Sequence, residues 1–286
     1  MVANGFITIF NCIDWFRSRK LTPGDMILSC LGLFRFAFHA VLMLFAMFDL
    51  FFMDTLKSSH ILQAALSVSW VFSNTTNLWF ATWLSVLYCV KIATFTHPLF
   101  LQMKRRFPEL VPRLLLGTVV FTSVLTVVTN TSDRIMHTCN LYQLFPSNSS
   151  DLEIKMPDSC KYIFFLYAIP NYFPFMIFLA SSILLLTSLW RHKNLLQNST
   201  IGTSDLNTEA HLNAIKALAS FSILFVSSFL AEILEAIMRG TESNTWTSII
   251  SFCVVAAYSS GHAIILILIN PKLKQESIRL LHQLKC

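Results

Sequence analysis

Arg35 stands about ten residues into an apolar run that begins at Met26, and a guanidinium at that depth in hydrocarbon must find hydrogen-bond partners or a water-lined route. Its chemistry is recognition through N–H donors rather than bond making. Asn4 lies about thirteen residues before Arg17, so at 1.5 Å per residue its amide reaches a similar depth. An Asn4 to Arg35 hydrogen bond joining the first two segments is therefore expected. The alternative, an Arg35 that snorkels to an interface, fits its central position less well.

Trp70, Asn74 and Asn77 are spaced i, i+4 and i+7 and share one helical face. Buried amides of this kind either bond to a neighbouring helix as structural glue or line a cavity. Both readings stand on the spacing alone. Glu232 and Glu235 near the end of a later run either face basic ligands or reach the water. Pro170 and Pro174 each remove an amide donor from a fifth run and can kink it, opening space. His262 is read as a hydrogen-bonded packing element, because no second metal ligand stands at useful spacing. The sequence has no Gly-rich phosphate loop, no H-E-x-x-H and no G-x-S-x-G. Neither an enzyme, nor a cofactor, nor a metal site is expected.

The elements that must position these residues are long and apolar. Six stretches run roughly Met26 to Phe48, Ala64 to Thr94, Leu110 to Thr129, Tyr162 to Trp190, Ala214 to Ile237 and Trp246 to Ile269, each able to cross about 30 Å of hydrocarbon. The stretch with Asn74 and Asn77 is placed least firmly by hydropathy. With 55% hydrophobic and 13% charged residues, the chain has lipid for most of its solvent. An opening segment, Met1 to Phe16, offers only about 13 usable residues and reads as the later part of a first helix. The expectation is an all-α transmembrane bundle of seven helices with a truncated first helix, forming one domain over 1–286 with 270–286 as a short tail.

Basic residues near the segment ends set the orientation. Arg17, Arg19, Lys20, Lys104, Arg105, Arg106, Arg113, Arg191, Lys193, Lys216, Lys272, Lys274, Arg279 and Lys285 fall on one side when the segments alternate. That side is cytoplasmic, and the loop Thr131 to Lys161 and the N-terminus lie outside. The net charge of +6 is then a topology and anionic-lipid signal, not a nucleic-acid footprint. Of the N-x-Ser/Thr patterns, Asn148 alone sits comfortably in an outer loop, as a glycosylation acceptor or a plain polar residue. Cys12, Cys30, Cys89 and Cys286 read as thiols and Cys253 as a small buried residue. Cys139 and Cys160 share the outer loop, where a bridge is permitted but not fixed by sequence.

Several spaced motifs then match one known family. Ala3-Asn4-Gly5-Phe6-Ile7 with Asn11-Cys12-Ile13-Asp14-Trp15, Leu78-Trp79-Phe80-Ala81-Thr82 with Leu84-Ser85-Val86-Leu87-Tyr88 and Lys91-Ile92-Ala93, Ser188-Leu189-Trp190-Arg191-His192, Thr208-Glu209-Ala210-His211, and Pro271-Lys272-Leu273-Lys274-Gln275 occur in family order. The chain resembles the type 2, bitter-sensing taste receptors of the G-protein-coupled class along nearly its whole length.

That resemblance implies a multi-pass plasma-membrane protein that binds small bitter organic compounds in the outer half of the bundle and activates a gustducin-type heterotrimeric G protein. Its implied ligand contacts include Trp70, Asn74, Asn77, Glu235 and Tyr258. Its implied G-protein side holds Lys91, His97, Arg191, His192, His211 and Lys216, and Asn4 with Arg35 matches an internal polar link. A receptor oligomer stays open. So do two alternatives, a receptor fold that does not signal and a small multispan transporter, although no carrier-type repeat is apparent. Phe34, Trp83, Leu206 and Ser259 depart from the residues usual in the family, and the two bulky ones require compensating space.

Overall fold

The computed structural model describes residues 1–19, 21–52, 59–93, 98–144, 158–198, 215, 219–231, 233 and 245–285, with side chains left aside at 18, 49–50, 60, 99, 131–144, 158–170, 192–198, 245–249, 251–252, 281 and 284–285. The described residues form eight helices and no strand. They are α1 Val2–Ser18, α2 Pro23–Phe51, α3 His60–Ile92, α4 Pro98–Leu144, α5 Asp158–Asn198, α6 Ala219–Ala231, α7 Thr245–Ile269 and α8 Pro271–Lys285.

Helix ends follow local chemistry. Thr22 caps α2 by accepting from the Asp25 N–H at 3.2 Å, with Pro23 in the first turn, where its missing donor costs nothing. Ser59 caps α3 through the Leu62 N–H at 3.3 Å. Arg19 ends α1 in the left-handed conformation, φ 54°. Asn270 accepts from the Lys272 N–H at 3.1 Å, and Pro271 opens α8 at 99° to the preceding helix. The second arm therefore turns aside from the bundle axis instead of prolonging it.

Length and apolar character qualify three described helical spans for crossing a membrane, Pro23–Phe48, Phe100–Asn130 and Asn171–Arg191, and a fourth if the bent pair Cys253–Ile269 and Pro271–Leu280 counts as one. At 33 residues α3 is long enough, but its polar run dilutes it. Ser73 to Thr82 are buried without a break, on every face of the helix, which is the signature of a central element. Accordingly α3 packs against α2, α4 and α5.

Hydroxyls fasten it there, as expected where apolar surface alone gives helices no preference for one another over lipid. Thr76 and Thr122 Oγ1 lie 2.9 Å apart across α3 and α4, and the Thr82 hydroxyl donates to the Pro174 carbonyl of α5 at 3.0 Å. Ser85 Oγ meets Ser181 Oγ at 2.8 Å, and Thr75 Oγ1 donates to Asn171 Oδ1 at 3.3 Å. The bulky departures find room: Phe34 packs edge-on to Phe80, centroids 5.3 Å apart, and the Trp83 indole N–H donates to Thr118 Oγ1 at 2.9 Å. Thr118→Val should orphan that N–H and lower stability by about 1–2 kcal/mol; an unchanged thermal midpoint in detergent would refute the assignment.

The other half of the core is aromatic. Phe175 stacks on Phe229 at 3.8 Å and Phe178 on Phe225 at 3.9 Å, interleaving α5 with α6. Phe221 stacks on His262 of α7 at 3.6 Å, which gives His262 the packing role.

Some expectations are corrected. The outer segment Thr131 to Lys161 is not all loop, because α4 continues to Leu144 and α5 begins at Asp158. Likewise α5 extends to Asn198 and shortens the connection that follows it. Cys253 is exposed rather than buried, since it stands five residues, about 140° around the helix, from the buried Tyr258. Cys12, Cys30 and Cys89 are free thiols; the side chains of Cys139, Cys160 and Cys286 lie outside the described residues.

Candidate functional site

The sequence face Trp70, Asn74, Asn77 is one face of α3, turned inward. Trp70 packs on Phe38 of α2, centroids 4.9 Å apart. Asn74 and Asn77 are buried. Both amide atoms of Asn77, Nδ2 and Oδ1, have no hydrogen-bond partner in the protein, and two residues on, around the far side of α3, the Trp79 indole N–H is in the same condition. Groups of this kind cost about 1–3 kcal/mol each if left dry, so water or a ligand must meet them. Such orphaned groups are more specific than the spacing that first singled the face out. Trp79 was not foreseen as a site residue, and its spacing of two residues from Asn77 gave no signal, because such positions do not share a helical face.

A second polar centre joins α1, α2 and α7. Arg35 is fully buried, its Nη2 donates to the Tyr258 hydroxyl at 3.0 Å, and its guanidinium carbon lies 5.1 Å from the Tyr258 ring centroid. His39, one turn on, contacts the Arg35 carbonyl through Nδ1 at 2.6 Å. A carbonyl only accepts, so that nitrogen carries the proton, and in the neutral ring Nε2 is left to accept from Ser260 Oγ at 3.2 Å.

The expected direct hydrogen bond between Asn4 and Arg35 does not form. The Asn4 Nδ2 instead donates to the Ser259 carbonyl at 3.4 Å. Helical rise gives equal depth to Asn4 and Arg35, but depth says nothing about azimuth, and both side chains turn to α7. They meet consecutive residues there, Tyr258 and Ser259. Tyr258 is thus placed in the inter-helix link, its hydroxyl engaged by Arg35.

Gly32 explains how α1 and α2 come so close. A Cβ there would stand 2.5 Å from Thr8 Oγ1, closer than side-chain carbons approach, and a tight 3.0 Å from the Asn4 carbonyl oxygen.

At the opposite end of α3, Lys91 is exposed. Below it Cys89 and Ala93 pack with Leu185 and Leu189 of α5, Phe100 of α4 and Ile215, so the ends of four segments converge. Arg191 is exposed at the same end of α5. Lys272 of α8 reaches Asp14 of α1 at 3.7 Å. Glu232, Glu235, His97, His211, Lys216, Leu206 and Asn148, and the His192 side chain, lie outside the described residues. Among the described residues no group of His, Cys, Asp and Glu could hold a metal ion.

A bundle whose central helix presents polar side chains inward, with a last helix bent across one end, defines the class: a seven-helix membrane receptor of the G-protein-coupled type. The crystal structure of squid rhodopsin aligns with a TM-score of 0.57 at 13% identity, covering 96% of this chain and 78% of that one. The family is shown by sequence. The family description "Taste receptor protein (TAS2R)" matches residues 1–285. Taste receptor type 2 member 41 of Mus musculus is 35% identical over 94% of this chain and 87% of its own length. Taste receptor type 2 member 2 of Homo sapiens is 36% identical over 98% of this chain and 91% of its own length. The chain belongs to the type 2 taste receptor family and is a multi-pass membrane protein.

Proposed function

We propose that this chain is a bitter receptor that holds small organic compounds against the Trp70, Asn74, Asn77 face of α3 and activates a gustducin-type heterotrimeric G protein at its Lys91 and Arg191 end. The observation that carries the reading is the Asn77 amide, buried with both polar atoms unpartnered. A mostly apolar cleft with one or two convergent polar groups is the usual form of a small-molecule site. Family membership and the names of the relatives support the ligand class. In this reading the basic end is cytoplasmic, the N-terminus is outside, and the receptor resides in the plasma membrane.

An agonist would act by binding the active arrangement of helices more tightly than the inactive one, since only differential affinity shifts the balance. The test is nucleotide exchange on an added gustducin-type G protein in membranes bearing this chain, challenged with a panel of bitter compounds. Compound-specific exchange is expected. Compound-independent solute flux without exchange would overturn the reading in favour of a transporter.

Asn77→Leu separates site from scaffold. Replacing an unpartnered amide by an apolar side chain of similar size should leave the thermal midpoint unchanged or raised, while shifting the agonist concentration–response by about tenfold for compounds that engage the amide. A matched loss of stability and response would show Asn77 to be structural.

A further inference from the structure

Arg35 is the largest fully buried side chain among the described residues, and its hydrogen bonding is incomplete. A guanidinium carries five N–H bonds on three nitrogens and is always charged. Here Nη2 donates to Tyr258, while Nε and Nη1 have no partner. The Tyr258 hydroxyl and ring offer a dipole and a quadrupole, not a counter-charge. The ion pairs seen among the described residues are Lys272 with Asp14 and Arg279 with Glu276, so no described carboxylate pairs with Arg35. Asp25 and Asp49, the acidic residues of the same helix, stand about ten residues before and about fourteen after Arg35, or about 15 and 21 Å along the axis.

The groups nearby in the fold do not supply the missing charge. The Asn4 amide N–H is engaged by the Ser259 carbonyl, and the His39 Nδ1–H by the Arg35 carbonyl. On α7, one and four residues beyond Tyr258, the Ser259 hydroxyl and His262 Nδ1 are buried and unpartnered, and a hydroxyl can donate. Water would solvate the free N–H groups but leave the net charge in place. In a low-dielectric interior the penalty for an uncompensated ion is several kcal/mol, and an opposite charge in contact offsets it best. Arginine, hydroxyl and imidazole form a donor-rich set with a positive centre, which disfavours a metal cation and suits an anion. Packing among α1, α2 and α7 requires the anion to be small, and a single positive charge requires it to be monovalent.

We propose that a halide-type monovalent anion sits against the Arg35 Nε and Nη1 groups, between α2 and α7, as the buried counter-charge of this bundle. The inference does not depend on what the receptor binds or couples to.

The test uses the purified full chain in detergent at constant ionic strength, with chloride exchanged for gluconate. Raising chloride from about 1 to about 150 mM should lift the unfolding midpoint by about 3 °C for a site filled tenfold above its dissociation constant. Bromide should reproduce the rise and sulfate should not, and Arg35→Met should abolish it. An independent readout covers a variant that does not fold: the wild-type chain should broaden the 35Cl resonance, and bromide should reverse the broadening. Equal midpoints in chloride and gluconate, no broadening, or a chloride step that survives in Arg35→Met would each overturn the proposal, the first two leaving water alone around the guanidinium.

Discussion

Tyr258→Phe is expected to lower the stability of the bundle by about 1.5–3 kcal/mol, the worth of a hydrogen bond to a charged group. The aromatic ring survives, so the contact with Phe225, centroids 5.6 Å apart, and the cation–π approach of Arg35 should persist. What disappears is the only acceptor that the guanidinium has among the described residues. The diagnostic is the cycle with Arg35→Met. Breaking one side of a buried polar pair strands the other, whereas removing both leaves apolar groups that pack at little cost. Arg35→Met with Tyr258→Phe should therefore be at least as stable as Tyr258→Phe alone, with a coupling of 1 kcal/mol or more, about fivefold in the folding equilibrium. Thermal unfolding of the four proteins in one detergent measures it. Strict additivity would mean that the 3.0 Å contact carries no energy.

Gly32→Ala should cost about 1–3 kcal/mol through overpacking, a large effect for one methyl group on a membrane helix. The added carbon would collide with Thr8 Oγ1 and the Asn4 carbonyl, pushing α1 off α2 at the level where Asn4 reaches Ser259. The Thr8 hydroxyl donates to that same Asn4 carbonyl at 3.1 Å, so it cannot swing aside without losing its acceptor. Thr8→Ala clears the closer of the two obstacles. The double variant Thr8→Ala with Gly32→Ala should recover at least half of the loss, as read from thermal midpoint and from the fraction of correctly folded protein after solubilisation. A double variant no better than Gly32→Ala would place the strain on the backbone contact alone.

These residues also mark where sequence reasoning reached and where it stopped. The helices and the receptor-type bundle follow from apolar run lengths and motif order. The inward face of α3 follows from the Trp70, Asn74, Asn77 spacing, because helical period fixes which side chains align. That Arg35 faces the bundle follows from its depth and its charge. Its partner was beyond such reasoning. One-dimensional arithmetic supplies height along the membrane normal, and Asn4 has the right height, but the choice between Asn4 and Tyr258 depends on how helices are rotated about their axes. That rotation is fixed by contacts such as the Gly32 notch, which no periodicity announces. The Trp83 to Thr118 bond and the aromatic interleaving of α5 with α6 are hidden for the same reason. Helix ends were read too early, as with α4 and α5, because polar residues such as those from Thr131 to Leu144 resemble loop in composition while still forming hydrogen-bonded helix.

The Asn4 to Ser259 contact spans 255 positions of sequence and the Arg35 to Tyr258 contact 223. A ribosome makes α1 and α2 long before α7, so for most of synthesis both polar side chains wait without their acceptors. The closing helix is thus also the step that completes the earliest ones. Until it arrives, the Asn4 amide and the Arg35 Nη2 group lack the acceptors that α7 supplies in the finished bundle.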